Sequence, residues 1–174
     1  MKIHIFLVIS AFFILSCGSQ SGENRQPDRK ELQENLLGAN VMLIDAEDQE
    51  IRDFIDRHGW EMEATGSGLR YMIYHQGSGP KAEKDRIAYL HYSVSLITGD
   101  QIYSSKEDGV RQFRIGRGGV ESGLEEGILL LRVGDKARFI LPSHLAHGVP
   151  GDGVKIPKRA TIIYDIELVD ITSN

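Results

Sequence analysis

The sequence predicts an α+β fold: a curved antiparallel sheet of about five strands wrapped on one short amphipathic helix, preceded by a helical extension. Three observations carry that expectation. Ile162, Tyr164, Ile166 and Leu168 alternate with Asp165 and Glu167, the two-residue period of a strand with one covered face. Ala137, Phe139 and Leu141 repeat the pattern one segment earlier. Upstream of both, Leu124, Ile128 and Leu131 recur at helical spacing and supply an apolar stripe to cover the sheet.

A chain of 174 residues supports one ordinary domain with an appendage. Its net charge of −5, with Lys and Arg scattered rather than blocked, excludes the basic field that nucleic-acid binding needs. Residues 1–17 have a basic start and an apolar run too short to span a bilayer comfortably, so they read as a secretory signal. The run closes on Leu15-Ser16-Cys17, which resembles the bacterial lipobox, whose cysteine is acylated after cleavage. The lipid bilayer is then a partner through acylated Cys17; a plain signal peptide with a chance cysteine, or an uncleaved anchor, is the alternative. A single cysteine forms no internal disulfide.

Residues 18–30 are polar and small, a flexible tether with a reach of roughly 40 Å at about 3.3–3.6 Å per residue. Residues 31–64 form the helical extension. Leu32, Leu36, Leu37 and Val41 to Ile44, then Ile51, Phe54, Ile55 and His58, predict two short helices. Asp45 and Asp48 resemble a capping box opening the second at Ala46, and Gly59 stops it after His58. The extension reads either as a dimerisation or client-binding arm, giving a homodimer through residues 31–58, or as a collar packed on its own domain. Trp60 reads as a packing residue.

The domain begins at residue 65. Leu69 to His75 predicts the first strand; in Ile87 to Ile97, Ala88, Leu90, Tyr92, Val94 and Leu96 share one face. Ile102-Tyr103 resumes pairing, residues 104–110 form a polar connection, and Gln112 to Gly116 is another strand. A long Gly- and Pro-marked loop between Pro142 and Arg159 separates the last two strands and is the place for a site.

Over residues 66 to 174 the chain resembles the FKBP-type peptidyl-prolyl cis-trans isomerases. The resemblance lies in His91-Tyr92, Gly99, Tyr103-Ser104-Ser105, Gly123-Leu-Glu-Glu-Gly, Val133-Gly-Asp-Lys-Ala, Ile140-Leu-Pro-Ser-His-Leu-Ala-His-Gly, Ile156-Pro and Ala160-Thr-Ile-Ile-Tyr-Asp-Ile-Glu-Leu. Details of the later half are similar to lipoprotein members of gliding Bacteroidota-type bacteria. The resemblance implies an FKBP-like fold and rotation of Xaa-Pro bonds in exported polypeptides, with no cofactor and no metal. The localisation it implies is a lipid-anchored envelope protein at the outer membrane, facing the periplasm. The alternative is a catalytically weak or inactive binding module of the same fold serving a membrane-associated assembly.

By position, the resemblance implies Tyr92, His147 and Tyr164 as the catalytic set and Ile102, Tyr103, Phe113, Val120, Glu121, Leu124 and Ile156 as the substrate-binding wall. The chain departs from the family pattern at four places. Ile102-Tyr103 stands where Phe-Asp is usual, Leu124 where an aromatic floor is usual, Val120-Glu121 where Val-Ile is usual, and His147 where Tyr is usual. Tyr103 is expected to fill part of the space of the lost aspartate. His147 is expected to replace a hydroxyl donor with an imidazole N–H. Glu121 puts a carboxylate at the rim of an apolar pocket, which is costly unless it points to water, although the backbone N–H at that position can still donate. Glu125-Glu126 reads as a solvated helix face. His144 and His147 lack a third ligand for a metal, and Gly116-Arg-Gly-Gly-Val lacks the Lys-Ser/Thr of a phosphate loop.

Overall fold

The protein is described by a computed structural model covering residues 28–173, so Cys17 and the signal sequence lie outside the described residues. The chain divides into two units, Met1–Leu37 and Gly38–Asn174. In the first, the described residues enter a helix at Arg29.

That helix, α1 (Arg29–His58), is one continuous element and not the two short helices expected. Gly38 sits inside it; a lone glycine costs about 1 kcal/mol in a helix interior and is outweighed by the flanking Leu, Ala, Gln and Glu. Asp45 therefore caps nothing, and Asp48 instead pairs with Arg52 one turn on and with Arg70 at 2.5 Å. The stop is where glycine was expected to put it: Gly59 adopts φ 61, and the Trp60 N–H returns to the Ile55 carbonyl at 3.2 Å.

The strands follow as β1 (Glu63–Ala64), β2 (Arg70–His75), β3 (Ile87–Leu96), β4 (Gln101–Ser104) and β5 (Arg111–Arg114), then β6 (Lys136–Leu141) and β7 (Ile162–Thr172). They form one antiparallel sheet in the order β1-β2-β6-β7-β3-β4, with β5 also paired to β3. Seven strands replace the expected five or so, the two-residue β1 being too short to show a period. Strand β3 pairs β7 along its whole length, from Ile87↔Thr172 to Leu96↔Ile162. Its other edge is shared: the first half pairs β5 and the second half pairs β4. The polar connection between them holds a single helical turn, α2 (Ser105–Asp108). The Ser105 hydroxyl there accepts the Tyr92 backbone N–H at 3.0 Å, which the ladder leaves free.

The short helix α3 (Ser122–Ile128) covers the inner face with Leu124 and Ile128 fully buried. Its approach is close because two glycines face the sheet. A Cβ on Gly123 would stand 2.5 Å from Leu141 Cγ, and one on Gly127 would stand 2.5 Å from Phe139 Cε2. The other face of β6 and β7 is covered too. Ile51 and Phe54 of α1 bury against Ile140 and Ile163, so these strands are apolar on both sides at that end. Trp60 closes the patch edge-on to Phe54, with the Arg138 guanidinium over its ring at 4.7 Å. The burial of Ile51 and Phe54 contributes about 1.5–3 kcal/mol each as an upper bound, enough to seat the C-terminal half of α1.

Candidate functional site

A cleft of about 320 Å³ opens between β3, β4, α2, the start of β5, the residue preceding α3, and the Pro142–Arg159 loop. That volume lies in the range of small-ligand clefts, about 300–1,000 Å³. Its lining comprises Tyr92, Val94, Tyr103, Asp108, Arg111, Glu121, His147, Asp152, Ile156 and Tyr164. The strand register explains the centre. Val94 is paired with Tyr103 on one side and Tyr164 on the other, so the three share a face, and Tyr92 lies two residues along on the same face.

Six of the residues expected at the site meet here: Tyr92, Tyr103, Glu121, His147, Ile156 and Tyr164. Four do not line the cleft. Leu124 and Phe113 are buried in the core that also holds Tyr164 and Ile156, and Ile102 and Val120 pack half-buried against that core. Leu124 is fully enclosed in that core.

One wall is a chain of charges. The Arg111 guanidinium donates to the Tyr164 hydroxyl at 2.8 Å and pairs with Glu121 Oε2 at 3.2 Å. Glu121 Oε1 accepts from His147 Nε2 at 3.0 Å. Glu121 does not point to water: its side chain is only 7% exposed, and Arg111 and His147 compensate its burial. The Arg111 contact lacks hydrogen-bond geometry, which leaves Oε2 a buried acceptor without a donor. An ionised carboxylate only accepts, so His147 carries its proton on Nε2 and spends it on Glu121. A second N–H, on Nδ1, exists only in the imidazolium.

Burial pushes the Tyr164 phenol up, with Glu121 adding to the rise and Arg111 opposing it, so the hydroxyl stays protonated. Burial opposes the charge on Arg111, but Tyr164, Glu121 and Tyr92 more than offset that and hold it ionised. Tyr92 donates to Asp108 at 3.3 Å; burial, then the Asp108 charge, raises its phenol.

The opposite wall is a turn organised by one side chain. Asp152 Oδ1 accepts the backbone N–H groups of Val154, Lys155 and Ile156 at 2.8, 2.9 and 2.7 Å, and its Oδ2 accepts the Tyr103 hydroxyl at 2.5 Å. Burial disfavours the carboxylate, but these four donors win and hold Asp152 down to about 2. The same bond, with burial and the negative charge, pushes Tyr103 up to about 12. Tyr103 thus reaches across to the loop, and Lys155 lies over its ring at 4.8 Å while donating to the Ile102 carbonyl. His144 turns away from His147, its Nε2 bonded to the Ser67 carbonyl at 2.9 Å.

Glu125 and Glu126 are not idle solvation. Glu125 accepts the backbone N–H groups of Gly116 and Gly118 and fixes that turn, and Glu126 accepts the Ser67 hydroxyl at 2.7 Å.

A model of the FKBP-type peptidyl-prolyl cis-trans isomerases matches residues 79–169, 91 of the 174 residues. The chain belongs to this family. Two FKBP relatives show the extent of the likeness. A probable isomerase, FkpA, of Neisseria meningitidis is 40% identical over 111 residues, which cover 63% of this chain and 40% of the relative. FK506-binding protein 2 of Dictyostelium discoideum is 40% identical over 83 residues, covering 47% of this chain and 62% of the relative. The chain therefore matches less than two thirds of either relative's length. Among solved structures, AtFKBP13 aligns with a TM-score of 0.62 at 32% identity, covering 65% of this chain and 100% of that one. FkpA from Escherichia coli aligns with a TM-score of 0.61 at 23% identity, covering 85% and 75%, a likeness of fold alone.

Of the cleft residues, Val94, Asp108, Arg111 and Asp152 were not singled out for the site from the sequence. Arg111 was derivable, because it lies two residues before Phe113 on the same strand and shares its face. Asp152 carries the signal of an Asx turn, an aspartate between glycines. Asp108 gives no such signal, since its place depends on the α2 turn.

Proposed function

We propose that this chain is a peptidyl-prolyl cis-trans isomerase acting on proline-containing segments of exported proteins. The observation that carries the reading is the meeting of Tyr92, Tyr103, His147, Ile156 and Tyr164 around one cleft in a chain of this family. Rotation of a prolyl amide must break resonance, a barrier of about 18–20 kcal/mol for peptide bonds generally. No nucleophile or electron carrier is required. A water-poor cleft favours the less polar twisted amide over the planar one, and donors that meet its carbonyls only when twisted add differential stabilisation. A thousandfold acceleration needs about 4 kcal/mol of it.

Tyr92, Tyr103, Ile156 and Tyr164 supply the enclosing surface in this reading. The Tyr164 hydroxyl supplies a donor, joined by His147 through Nδ1 when the ring is an imidazolium and by the Tyr92 hydroxyl when it leaves Asp108 for the substrate, while Ile102, Phe113, Val120 and Leu124 back the wall from the core. Turnover of an Xaa-Pro peptide measured by NMR exchange spectroscopy tests it: micromolar full-length protein should raise the interconversion rate well above background. Absence of acceleration alongside peptide binding would leave the second reading, a binding or chaperone module. The three carboxylates and one guanidinium of Asp108, Glu121, Asp152 and Arg111 in the cleft favour that alternative.

The organisation that fits this role is a lipoprotein signal at 1–17, a tether at 18–30, a helical extension at 31–64 and an isomerase domain at 65–174. Acylation of Cys17 would hold the protein at the outer membrane facing the periplasm, as in the lipoprotein subgroup. Cys17→Ala should move the protein to the soluble fraction; retention in membranes would make the apolar segment itself the anchor. A homodimer through residues 31–58 is supported by the exposure of Leu36, Val41, Met42 and Ile44 along α1. Sedimentation of the Met42→Glu variant as a monomer beside a dimeric wild type is the expected result.

A further inference from the structure

We propose that Glu47, on α1, is a positioning residue for the cleft: its carboxylate ties together the two ends of the loop that carries His147, Asp152 and Ile156. The functional consequence rests on the isomerase reading; the structural one does not.

The β6–β7 ladder ends at the pair Leu141↔Ile162. The next residue, Pro142, has no N–H to donate to a further rung, and its carbonyl is taken by the Leu145 and Ala146 N–H groups. Glu47 supplies the missing rung from outside. Its Oε1 accepts the Ser143 N–H at 2.6 Å and the Thr161 hydroxyl at 2.7 Å, and its Oε2 accepts the Ser143 hydroxyl at 3.0 Å. Ser143 and Thr161 are both buried, 7% and 5% exposed, so each donor loses water and depends on this acceptor.

Inside the loop, the Arg159 N–H bonds to the Gly148 carbonyl at 2.9 Å and the Asp152 turn is closed on itself. Those bonds fix the shape of the loop. The middle of the loop is tied to β4 by Tyr103 and Lys155, and its two ends are held at Ser143 and Thr161. From Ser143 the chain makes one 3-10 turn (Ser143–Leu145), and the Gly148 N–H returns to the Ser143 carbonyl at 2.8 Å, which places His147 one residue before that bond. Ile51, one turn after Glu47 on the same side of α1, is fully buried against the sheet, so the carboxylate is carried on an anchored stretch of helix.

The test compares Glu47→Ala with Ile51→Ala in the full chain, at a temperature where both are folded. Ile51→Ala weakens the same helix but removes none of the three bonds to the loop ends, and Phe54 still seats α1 on the sheet. Glu47→Ala should raise amide hydrogen exchange across residues 145–160 and lower kcat/KM about tenfold, while Ile51→Ala stays within about twofold of wild type. Glu47→Gln keeps an oxygen for the Ser143 N–H and the Thr161 hydroxyl and should recover most of both losses. If Glu47→Ala proves unfolded, Thr161→Val removes one of the three bonds and should give an intermediate rise in exchange over the same residues. Equal losses in Glu47→Ala and Ile51→Ala, or unchanged loop exchange in the Glu47 and Thr161 variants, would overturn the proposal. Should wild type itself show no turnover, the isomerase reading falls, and the exchange comparison still decides whether Glu47 seats the loop.

Discussion

The two walls of the cleft hold their polar groups by different means. On one side Tyr164, Arg111, Glu121 and His147 come from four separate stretches of chain and are joined only through side chains. On the other, Asp152 gathers three backbone N–H groups from within four residues of itself and adds one distant hydroxyl, that of Tyr103. The first wall is cooperative and fails when one member goes. The second is local, and the most it loses is a turn. A protein can therefore change the chemistry of its charged wall only by changing several residues together, whereas the turn wall tolerates changes around it.

The largest effect should come from Tyr164→Ala, which removes a ring 1% exposed and the acceptor of Arg111. A loss of about 3–5 kcal/mol in urea unfolding is expected, with Tyr164→Phe costing only about 1–2. Equal losses in the two variants would mean that the hydroxyl, and not the ring, supports the wall.

Next is Glu121→Ala, which strands a guanidinium whose side chain is 27% exposed. Partial access to water reduces the cost to about 1–3 kcal/mol, and the double variant Arg111→Met with Glu121→Leu should regain most of it. Additive losses in the double variant would contradict the cooperative picture.

On the turn wall, Asp152→Ala should cost about 1–2 kcal/mol, the scale of losing a side-chain cap on backbone N–H groups. The sign with pH follows from its depressed value, about 2 against an ordinary 3.8. The contribution is present above pH 4 and is lost as pH falls through about 2, so the stability gap between wild type and variant should close over that window. A gap that holds constant down to pH 2 would remove the carboxylate from the turn. The smallest effect expected is on specificity. Three carboxylates against one guanidinium at the cleft should favour Lys-Pro over Glu-Pro peptides by about two- to threefold at low salt, fading in high salt.

Much of the fold was legible because burial and period agree. Phe139, Tyr164, Leu124 and Ile128 are where alternation and helical spacing put them, and Gly59 stops α1 as a helix-ending glycine should. The unbroken helix was not legible, since Gly38 and the Asp45-Asp48 pair resemble boundaries whose force is under about 1 kcal/mol and yields to the surrounding helix formers. Burial of Ile140 and Ile163 under α1 was hidden for another reason: strand periodicity assigns a face but not what will come to cover it. At the cleft, the aromatic residues were visible by position, whereas the fate of Glu121 turned on Arg111 and His147, ten and twenty-six residues away. Pairing over such distances leaves no mark in a single sequence.

The proposed function places the turnover of proline-containing chain in this cleft and nowhere else on the domain. The direct measurement is an NMR titration with an Xaa-Pro peptide, read at once for cis-trans exchange of the peptide and for shifts in the protein. Exchange cross-peaks should grow with protein concentration, and shifts should concentrate at Tyr92, Tyr103, His147, Ile156 and Tyr164. Shifts confined to the α1-covered face around Phe54, Trp60 and Ile163, or saturating binding with no exchange, would contradict it.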